Sequence, residues 1–312
     1  MAKVLIAEAE DFSLDVVERL KKYASVDMFA CKQSELKTLL EQYDIFWFRL
    51  GFKIDETVLS NQTRCKIIAT PVTGIDHIDE DLCAQLGMKI VCLRGETEFL
   101  KEVRATAEHT ILLAMMLMRK AKQAAIDAEK GNWRRDLFRG FELYKKKVGI
   151  IGYGRLGSIV ADYFQALGCE VGYYDIAEKP STDRIKVYNS LESCIVANDI
   201  ISIHIPYNSS THHLFDQQIF QLFDENKWLL NTSRGGVVDE AALLQALSEN
   251  RIAGAALDVL YGEPDILQHP LIEYTQQKDN LVITPHIGGC TYESFEKTEH
   301  FIADKIIGLI AK

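Results

Sequence analysis

The chain has no segment that would place it in a membrane or direct it to export. Its longest apolar stretch, Thr110 to Met118, is far shorter than the roughly 20 residues that a bilayer-spanning helix needs. The N-terminus is acidic from Glu8 onward and carries no pattern of a cleavable signal. Low-complexity segments and short repeats are also missing. We therefore expect a globular protein that does not contact a membrane.

Cysteine is present, but it is not arranged for metal binding or for a disulfide framework. The seven cysteines are an odd number and include no Cys-x-x-Cys pair. No zinc-binding pattern is visible, so we predict no bound metal. Reduced thiols of this kind indicate a cytoplasmic location.

An excess of positive charge is missing as well. The net charge of −10 argues against nucleic-acid binding and against adhesion to an anionic membrane. It does not exclude a small anionic substrate, because a local arginine can outweigh distant surface charge. With 312 residues and 47% hydrophobic composition, the chain is long enough for two domains with sizeable cores.

A glycine-rich turn between two apolar runs is the most informative feature present. The run Val148–Ile151 is typical of a buried parallel strand, and it leads directly into Gly152-Tyr153-Gly154-Arg155-Leu156-Gly157. Residues 158–167 continue with helical spacing, and a second apolar run, Val171–Tyr174, ends at Asp175. This order of strand, glycine turn, helix, strand and acidic residue indicates a dinucleotide-binding site.

Each part of this motif has a physical role. Gly152 permits the tight turn, Gly154 lets the backbone approach a pyrophosphate, and Gly157 lets the helix pack close to the strand. The helix N-terminus offers unpaired N–H groups to the phosphates. Asp175 would accept hydrogen bonds from a ribose diol and repel a 2′-phosphate, which favours NAD over NADP. The alternative, a packing turn with no ligand, explains the flanking pattern less well.

Strand and helix patterns alternate along most of the chain, which predicts parallel sheets covered on both faces. In the N-terminal part, strands are predicted at Val4–Ala7, Val26–Phe29, Ile45–Phe48, Ile67–Ala69 and Ile90–Val91, and helices at Leu14–Tyr23, Glu35–Leu40, Glu56–Leu59 and Glu80–Leu86. Further strands are predicted at Ile200–Ile203, Lys227–Leu230, Ala255–Leu257 and Leu281–Ile283, and helices at Leu191–Ala197, Asp216–Leu222 and Glu240–Asn250.

Two further helical patterns bear on domain organisation. One runs from Ala105 to about Gly131 with more apolar residues than a single core face requires, so it is either buried in a large domain or part of a subunit interface. The other, Tyr292–Leu309, is predicted to return to the N-terminal unit. We thus expect a discontinuous substrate-binding domain, residues 1–100 and 288–312, and an NAD-binding domain, residues 101–287. The fold class is α/β, with two doubly wound Rossmann-like domains and an active site in the cleft between them.

Three groups suited to hydride-transfer chemistry follow predicted strands of the second half. Arg234 follows the strand ending at Leu230, Glu263 follows the next strand, and His286 follows the strand at Leu281–Ile283. Taken singly, each residue has a structural alternative: a surface ion pair for Arg234, support of a turn for Glu263, and a satisfied loop histidine for His286. Beside a dinucleotide site, the three form a coherent set, because parallel strands present their carboxyl ends at one edge.

The chain resembles the D-isomer-specific 2-hydroxyacid dehydrogenases, a family that includes 3-phosphoglycerate dehydrogenase. The resemblance spans nearly the whole chain and rests on the segments Gly74–Asp79, Ala105–His109, Gly152–Gly157, His204–Pro206, Asn231–Gly236, Leu257–Pro264 and Thr284–Gly289. It implies a D-2-hydroxyacid dehydrogenase activity, an NAD cofactor, a homodimer through the NAD domain and catalytic roles for Arg234, Glu263 and His286. The cofactor contacts that it implies are Gly152, Gly154, Arg155, Leu156, Gly157, Asp175, His204, Pro206, Thr211, Ser233, Asp258 and Gly288.

The side chains suggest how this chemistry would work. His286 would donate a proton to the oxygen of a 2-keto acid as hydride arrives, and would take the proton back in the oxidising direction. Glu263, hydrogen-bonded to the other ring nitrogen, would fix the tautomer. Arg234 supplies a planar fork for the substrate carboxylate.

The substrate remains open between a simple 2-keto acid, such as hydroxypyruvate or glyoxylate, and a phosphorylated one. Backbone N–H groups of Val72, Thr73 and Gly74 are predicted to hold the substrate carboxylate. Arg49 is either a substrate contact or an exposed charge at a strand end. Relatives that use phosphoglycerate often carry an arginine where this chain has Thr70, and Lys101 with Arg104 would either serve a phosphate or pair with nearby glutamates.

A second class of function stays open at this point. Some transcriptional corepressors resemble the same family and keep the Arg, Glu and His set, so an NAD(H)-sensing interaction protein is the alternative hypothesis. The absence of disordered extensions or a charged tail speaks against that alternative.

Overall fold

The computed structural model describes residues 1–177 and 185–311. Residues 1–103 form, in chain order, β1 (Ala2–Ile6), α1 (Leu14–Lys21), β2 (Ala24–Met28), α2 (Leu36–Leu40), β3 (Ile45–Trp47), β4 (Ile67–Ala69), α3 (Glu80–Gln85), β5 (Lys89–Val91) and α4 (Thr97–Leu100). They are followed by α5 (Ala105–Met118), α6 (Ala121–Glu129), β6 (Lys147–Ile151), α7 (Arg155–Ala166), β7 (Glu170–Tyr174), β8 (Lys186–Val187), α8 (Leu191–Ala197), β9 (Ile200–Ile203), α9 (Gln217–Phe220), β10 (Trp228–Asn231), α10 (Glu240–Ser248), β11 (Gly254–Leu257), α11 (Pro270–Thr275), β12 (Leu281–Ile283) and α12 (Tyr292–Ile310).

The strands form two sheets, and every strand pairing within them is parallel. One sheet has the order β2-β1-β3-β4-β5, and the other has the order β12-β11-β10-β9-β6-β7-β8. In each sheet the strand order reverses next to the first strand of the sheet, which is the topology of a doubly wound fold. The predicted fold class of two Rossmann-like parallel sheets is confirmed.

The chain divides into two compact units. The N-terminal unit combines Met1–Val103 with the segment that begins at Cys290, and the central unit is Arg104–Gly289. The divisions lie a few residues from the predicted boundaries at 100 and 287, and the last residue of the predicted C-terminal segment, Lys312, lies outside the described residues.

Both faces of each sheet are buried by helices. In the central unit, α8 and α10 cover one face with Leu191, Ile195, Leu243 and Leu247, while α5 and α7 cover the other with Leu113, Leu117, Val160 and Phe164. In the N-terminal unit, α2 and α3 pack on one face. The other face packs against α1 and against Ile302, Ala303 and Ile306 of α12. Strands buried on both faces explain the continuous apolar runs in the sequence.

Two predicted helices differ from the structure. Residues 56–58 form a single turn rather than the predicted helix over Glu56–Leu59, because the Asp55 side chain accepts hydrogen bonds from the N–H and hydroxyl of Thr57 and closes the turn locally. The predicted helix from Ala105 to about Gly131 is broken into α5 and α6. The break is at Lys120, whose φ of 49° lies in the left-handed region and ends a right-handed helix.

The described residues contain neither a membrane-spanning helix nor a cluster of metal ligands. No helix within 1–177 or 185–311 is long and apolar enough to cross a membrane. In the same ranges, no group of three or more His, Cys, Asp and Glu side chains is arranged to hold a metal ion.

Candidate active site

The glycine turn of the central unit has the geometry that its sequence predicts. Gly152 follows β6 with φ of 91°, a conformation that side chains rarely adopt, and a Cβ there would lie 2.6 Å from the backbone oxygen of His204. A Cβ on Gly157 would lie 2.1 Å from the backbone oxygen of Gly152. By contrast, among the described residues no atom beyond the two neighbours of Gly154 lies within 4 Å of a Cβ placed on it. The turn is therefore closed at its two ends and open at the middle glycine, where helix α7 begins.

Asp175 lies directly after β7 and is tied to this turn. Its Oδ2 accepts a hydrogen bond from the backbone N–H of Tyr153 at 2.8 Å, and its Oδ1 accepts one from Ala177 at 2.8 Å. Burial lowers the pKa of Arg155, and the neighbouring charge of Arg104 lowers it further. Two close cations at a helix N-terminus make an environment that attracts an anion. Leu156 packs against the apolar core of the sheet.

His286 and Glu263 are brought together by adjacent loops. Nδ1 of His286 lies 2.7 Å from Oε1 of Glu263, and the two side chains are 25% and 26% exposed. His286 has φ of 53°, an uncommon conformation for a residue with a side chain. Its backbone N–H donates to the carbonyl of Asp258 at 2.8 Å. The ring is thus held at one nitrogen, while Nε2 is left as the second site of protonation.

A buried network that the sequence did not reveal supports the histidine loop. Asp258 is 1% exposed and accepts hydrogen bonds from Thr284 Oγ1 at 2.6 Å, Ile287 N at 2.9 Å and Gly288 N at 2.7 Å. Nε2 of His109, on α5, lies 3.2 Å from the same carboxylate and 3.0 Å from Thr284 Oγ1.

The charge state of Asp258 follows from this network. Burial alone would raise its pKa, but the hydrogen bonds from His109, Thr284 and two backbone amides outweigh burial, and the pKa is lowered. Asp258 and Gly288, both predicted cofactor contacts, therefore face each other and fix the backbone on either side of Ile287. No local pattern signalled this role, because His109 and Thr284 are 175 positions apart in the chain.

Arg234 sits on a loop that is organised by the last residue of β10. Asn231 donates from Nδ2 to the backbone oxygen of Arg234 at 2.9 Å, and its Oδ1 accepts from both the N–H and the hydroxyl of Ser233. A Cβ on Gly235 would lie 2.1 Å from the carbonyl carbon of Leu260. This loop therefore packs backbone to backbone against the segment that leads to Glu263. Nη1 of Arg234 donates to the backbone oxygen of Ser233.

The remaining predicted cofactor contacts lie after β9. His204 Nε2 is 2.8 Å from Ser202 Oγ, and its buried Nδ1 has no hydrogen-bond partner among the described residues. Burial lowers the pKa of His204 to about 3, so the ring is neutral. Pro206 is exposed, and its carbonyl accepts a hydrogen bond from Thr211 Oγ1 at 2.8 Å. Thr211 thus closes this loop on itself.

The predicted substrate contacts of the N-terminal unit fall into two groups. In the part of the chain that the structure describes, no group accepts a hydrogen bond from the backbone N–H of Val72, Thr73 or Gly74. Arg49, in contrast, is 15% exposed at its side chain and donates to Glu299 Oε1 at 2.7 Å. It is not the exposed strand-end charge that was one of the two predicted alternatives.

Comparison with known proteins identifies the family to which this chain is similar. Residues 111–288 match the family profile described as "D-isomer specific 2-hydroxyacid dehydrogenase, NAD binding domain". A D-3-phosphoglycerate dehydrogenase of Archaeoglobus fulgidus is 32% identical over 311 residues, which cover 98% of this chain and 57% of that protein. A glyoxylate reductase of Aeropyrum pernix is 32% identical over 306 residues, which cover 94% of this chain and 89% of that protein.

Length and structure complete the comparison. The chain spans little more than half the length of the phosphoglycerate dehydrogenases it matches, between 54% and 57% for four of them. The crystal structure of D-lactate dehydrogenase from Aquifex aeolicus, complexed with NAD and lactic acid, superposes with a TM-score of 0.85 at 29% identity and covers 99% of this chain and 95% of that chain. This chain belongs to the D-isomer specific 2-hydroxyacid dehydrogenase family.

Proposed function

We propose that the protein is an NAD-dependent oxidoreductase that interconverts a small 2-hydroxy acid and its 2-keto acid. The observation that carries the proposal is the 2.7 Å contact between His286 Nδ1 and Glu263 Oε1. A carboxylate that accepts from Nδ1–H leaves Nε2 to exchange a proton with a substrate oxygen. General acid–base help of this kind contributes about a hundred- to ten-thousand-fold in rate.

The proton and the charge on the substrate are handled by this pair and by Arg234. In the reducing direction, negative charge would develop on the former carbonyl oxygen, and protonated His286 would give its Nε2 proton to that oxygen. In the oxidising direction, the neutral ring would take the hydroxyl proton. Arg234 would hold the substrate carboxylate with its planar fork and polarise the carbonyl.

The N-terminal unit contains a loop that is suited to bind a carboxylate. The backbone N–H groups of Val72, Thr73 and Gly74 have no acceptor among the residues that the structure describes. Backbone N–H groups without acceptors favour binding of an anionic oxygen. We propose that this loop contributes to binding of the substrate carboxylate.

The glycine turn fits a dinucleotide. Its middle position is open, so the backbone at Gly154 can approach a pyrophosphate, and Arg155 provides positive charge beside it. When bound, the cofactor would supply or accept a hydride at the α-carbon of the substrate. Asp175 favours NAD over NADP, because its carboxylate would accept bonds from a ribose diol and repel a 2′-phosphate.

The test is NADH consumption with hydroxypyruvate, glyoxylate, pyruvate and phosphohydroxypyruvate. Wild-type protein should oxidise NADH with at least one of them, and Glu263→Gln should lower kcat by about a hundredfold or more. Glu273→Gln, an exposed substitution on α11 of the same unit, should have no effect. Binding of NADH without turnover of any keto acid would instead support an NAD(H)-sensing role.

We further propose a homodimer formed through the central unit. Large apolar side chains are exposed on and after α5, where Trp133 is 91% exposed and is accompanied by Leu112, Met115, Leu137 and Phe141. Exposed large apolar side chains concentrated in one part of a unit favour a subunit interface. Light scattering after size exclusion should give twice the mass of the chain, and Trp133→Ser with Leu137→Ser should shift the protein toward monomer.

We also propose a cytoplasmic location. All seven cysteines are unpaired in the structure. Burial raises the pKa of Cys65 and of Cys194 to about 12, so these thiols are unreactive. Unpaired cysteines in this number suit a reducing compartment. Microscopy of a fluorescent fusion would test the location.

A further inference from the structure

The cation best placed to receive a second anionic group is already neutralised inside the N-terminal unit. Arg49 follows β3, at the edge where strands of this fold class meet their ligands. Its Nη2 donates to Glu299 Oε1 at 2.7 Å, and its Nη1 donates to the backbone oxygen of Glu10 at 3.1 Å. The guanidinium carbon lies 4.2 Å from the ring centroid of Phe295. Arg49 is therefore part of the packing of α12 against the sheet.

The ion pair of Arg49 is buried and firmly held. The Glu299 side chain is 1% exposed, and its second oxygen accepts from the backbone N–H of Ser13 at 2.9 Å. Breaking such a pair leaves an uncompensated buried charge, which is strongly unfavourable. A ligand phosphate would therefore meet a guanidinium whose charge is already neutralised by Glu299, unlike a ligand that meets a solvated arginine.

A second carboxylate makes the surroundings of Arg49 negative. Glu8, just after β1, accepts hydrogen bonds from the backbone N–H groups of Arg49 and Gly51 through one oxygen. With Glu8 and Glu299 around one arginine, the formal charges are two negative and one positive, a net of −1. Like charges brought together at a binding site disfavour a ligand strongly. This edge of the sheet would repel a phosphate dianion.

Other cations near the strand ends of this unit are engaged as well. Lys101, one of the two residues considered above as phosphate contacts, pairs with Glu98 at 2.7 Å, and Arg94 pairs with Glu80 at 2.9 Å. These are exposed pairs of low energy, and they do not form a built phosphate site. The Val72–Gly74 loop offers backbone N–H groups to one carboxylate, as proposed above.

We propose that the substrate is an unphosphorylated, monoanionic 2-keto acid, and that the buried Arg49–Glu299 pair together with Glu8 excludes phosphorylated substrates. The proposal rests on the proposed dehydrogenase function. In this proposal Arg49 affects substrate specificity because Glu299 neutralises its charge, and Arg49 does not contact the substrate.

The test compares two substrates that differ only in a phosphate group. Wild-type kcat/KM for hydroxypyruvate should exceed that for phosphohydroxypyruvate by about tenfold or more. Glu299→Gln removes the counter-charge, so it should narrow this ratio by raising kcat/KM for the phosphorylated substrate. Glu296→Gln, an exposed substitution on the same helix, should leave the ratio unchanged. If Glu299→Gln does not fold, Glu8→Gln makes the same test from the other carboxylate.

The outcomes separate the two proposals. A wild-type preference for phosphohydroxypyruvate would overturn this inference while leaving the dehydrogenase assignment intact. A ratio that neither Glu299→Gln nor Glu8→Gln changes would show that these carboxylates do not set specificity. If the protein turns over none of the keto acids of the panel, the proposed function is overturned and this inference with it.

Discussion

Substituting Gly157 by alanine should destabilise the central unit by crowding α7 against the glycine turn. The new Cβ would lie 2.1 Å from the backbone oxygen of Gly152 and 3.1 Å from Cγ2 of Ile150. The oxygen belongs to the backbone and cannot rotate away, so the cost should be near the upper end of overpacking, about 3 kcal/mol. Alanine is a better helix former than glycine, which offsets about 1 kcal/mol.

The net loss, about 2 kcal/mol, corresponds to a fall in Tm of about 4–8 °C for a unit of this size. Differential scanning calorimetry without cofactor measures it, since a bound ligand would itself raise Tm. The matched control is Gly154→Ala, where the new Cβ has no close neighbour in the part of the chain that the structure describes. This control should keep the wild-type Tm but bind NADH about tenfold more weakly, because the methyl group would stand in the path of the pyrophosphate.

The pair of variants separates a packing role from a binding role. An unchanged Tm for Gly157→Ala would refute the close-packing argument. A lowered Tm for Gly154→Ala, or an NADH affinity equal to that of the wild type, would refute the assignment of the open position to the phosphates.

Three further predictions concern charge. Asp175→Asn removes the repulsion of a 2′-phosphate, so the ratio of kcat/KM for NADH over NADPH should fall, and an unchanged ratio would contradict the role of the carboxylate in cofactor choice. Arg234→Lys keeps the charge but loses the fork, and kcat/KM for keto-acid reduction should fall about 10- to 100-fold; wild-type efficiency would argue against bidentate binding. Burial lowers the pKa of His204 from 6.5 to about 3, so the unfolded chain binds a proton that the folded chain does not. Stability should therefore decline as pH falls from 6.5 toward 3, by up to about 1.4 kcal/mol per pH unit. Urea titrations should show a shallower decline for His204→Gln, and identical slopes would contradict this account.

The features that the sequence predicted correctly are those with a local signal. Apolar runs such as Val148–Ile151 predict the parallel strands, because a strand that is buried on both faces has apolar residues at successive positions. The glycine turn was predictable because each glycine answers a local steric demand. The contact between Glu263 and His286 could be predicted because the two residues follow neighbouring strands of a parallel sheet.

The features that the sequence did not predict depend on partners far away in the chain. Arg49 and Glu299 are 250 positions apart, and the sequence around Arg49 gives no sign that it pairs with a buried carboxylate. The same holds for His109, whose partners come from two other loops. The break at Lys120 was not predicted for a different reason. A lysine within a helical pattern gives no sequence signal that its backbone adopts the left-handed conformation.

The position of helix α12 in the chain bears on the order in which the two units can fold. The N-terminal unit needs Ile302, Ala303 and Ile306 to cover one face of its sheet, yet these residues follow the whole central unit in the chain. Until α12 is synthesised, α1 covers this face only in part, whereas the central unit is one continuous segment whose core does not depend on α12. We therefore expect the N-terminal unit to complete its core after the central unit has folded.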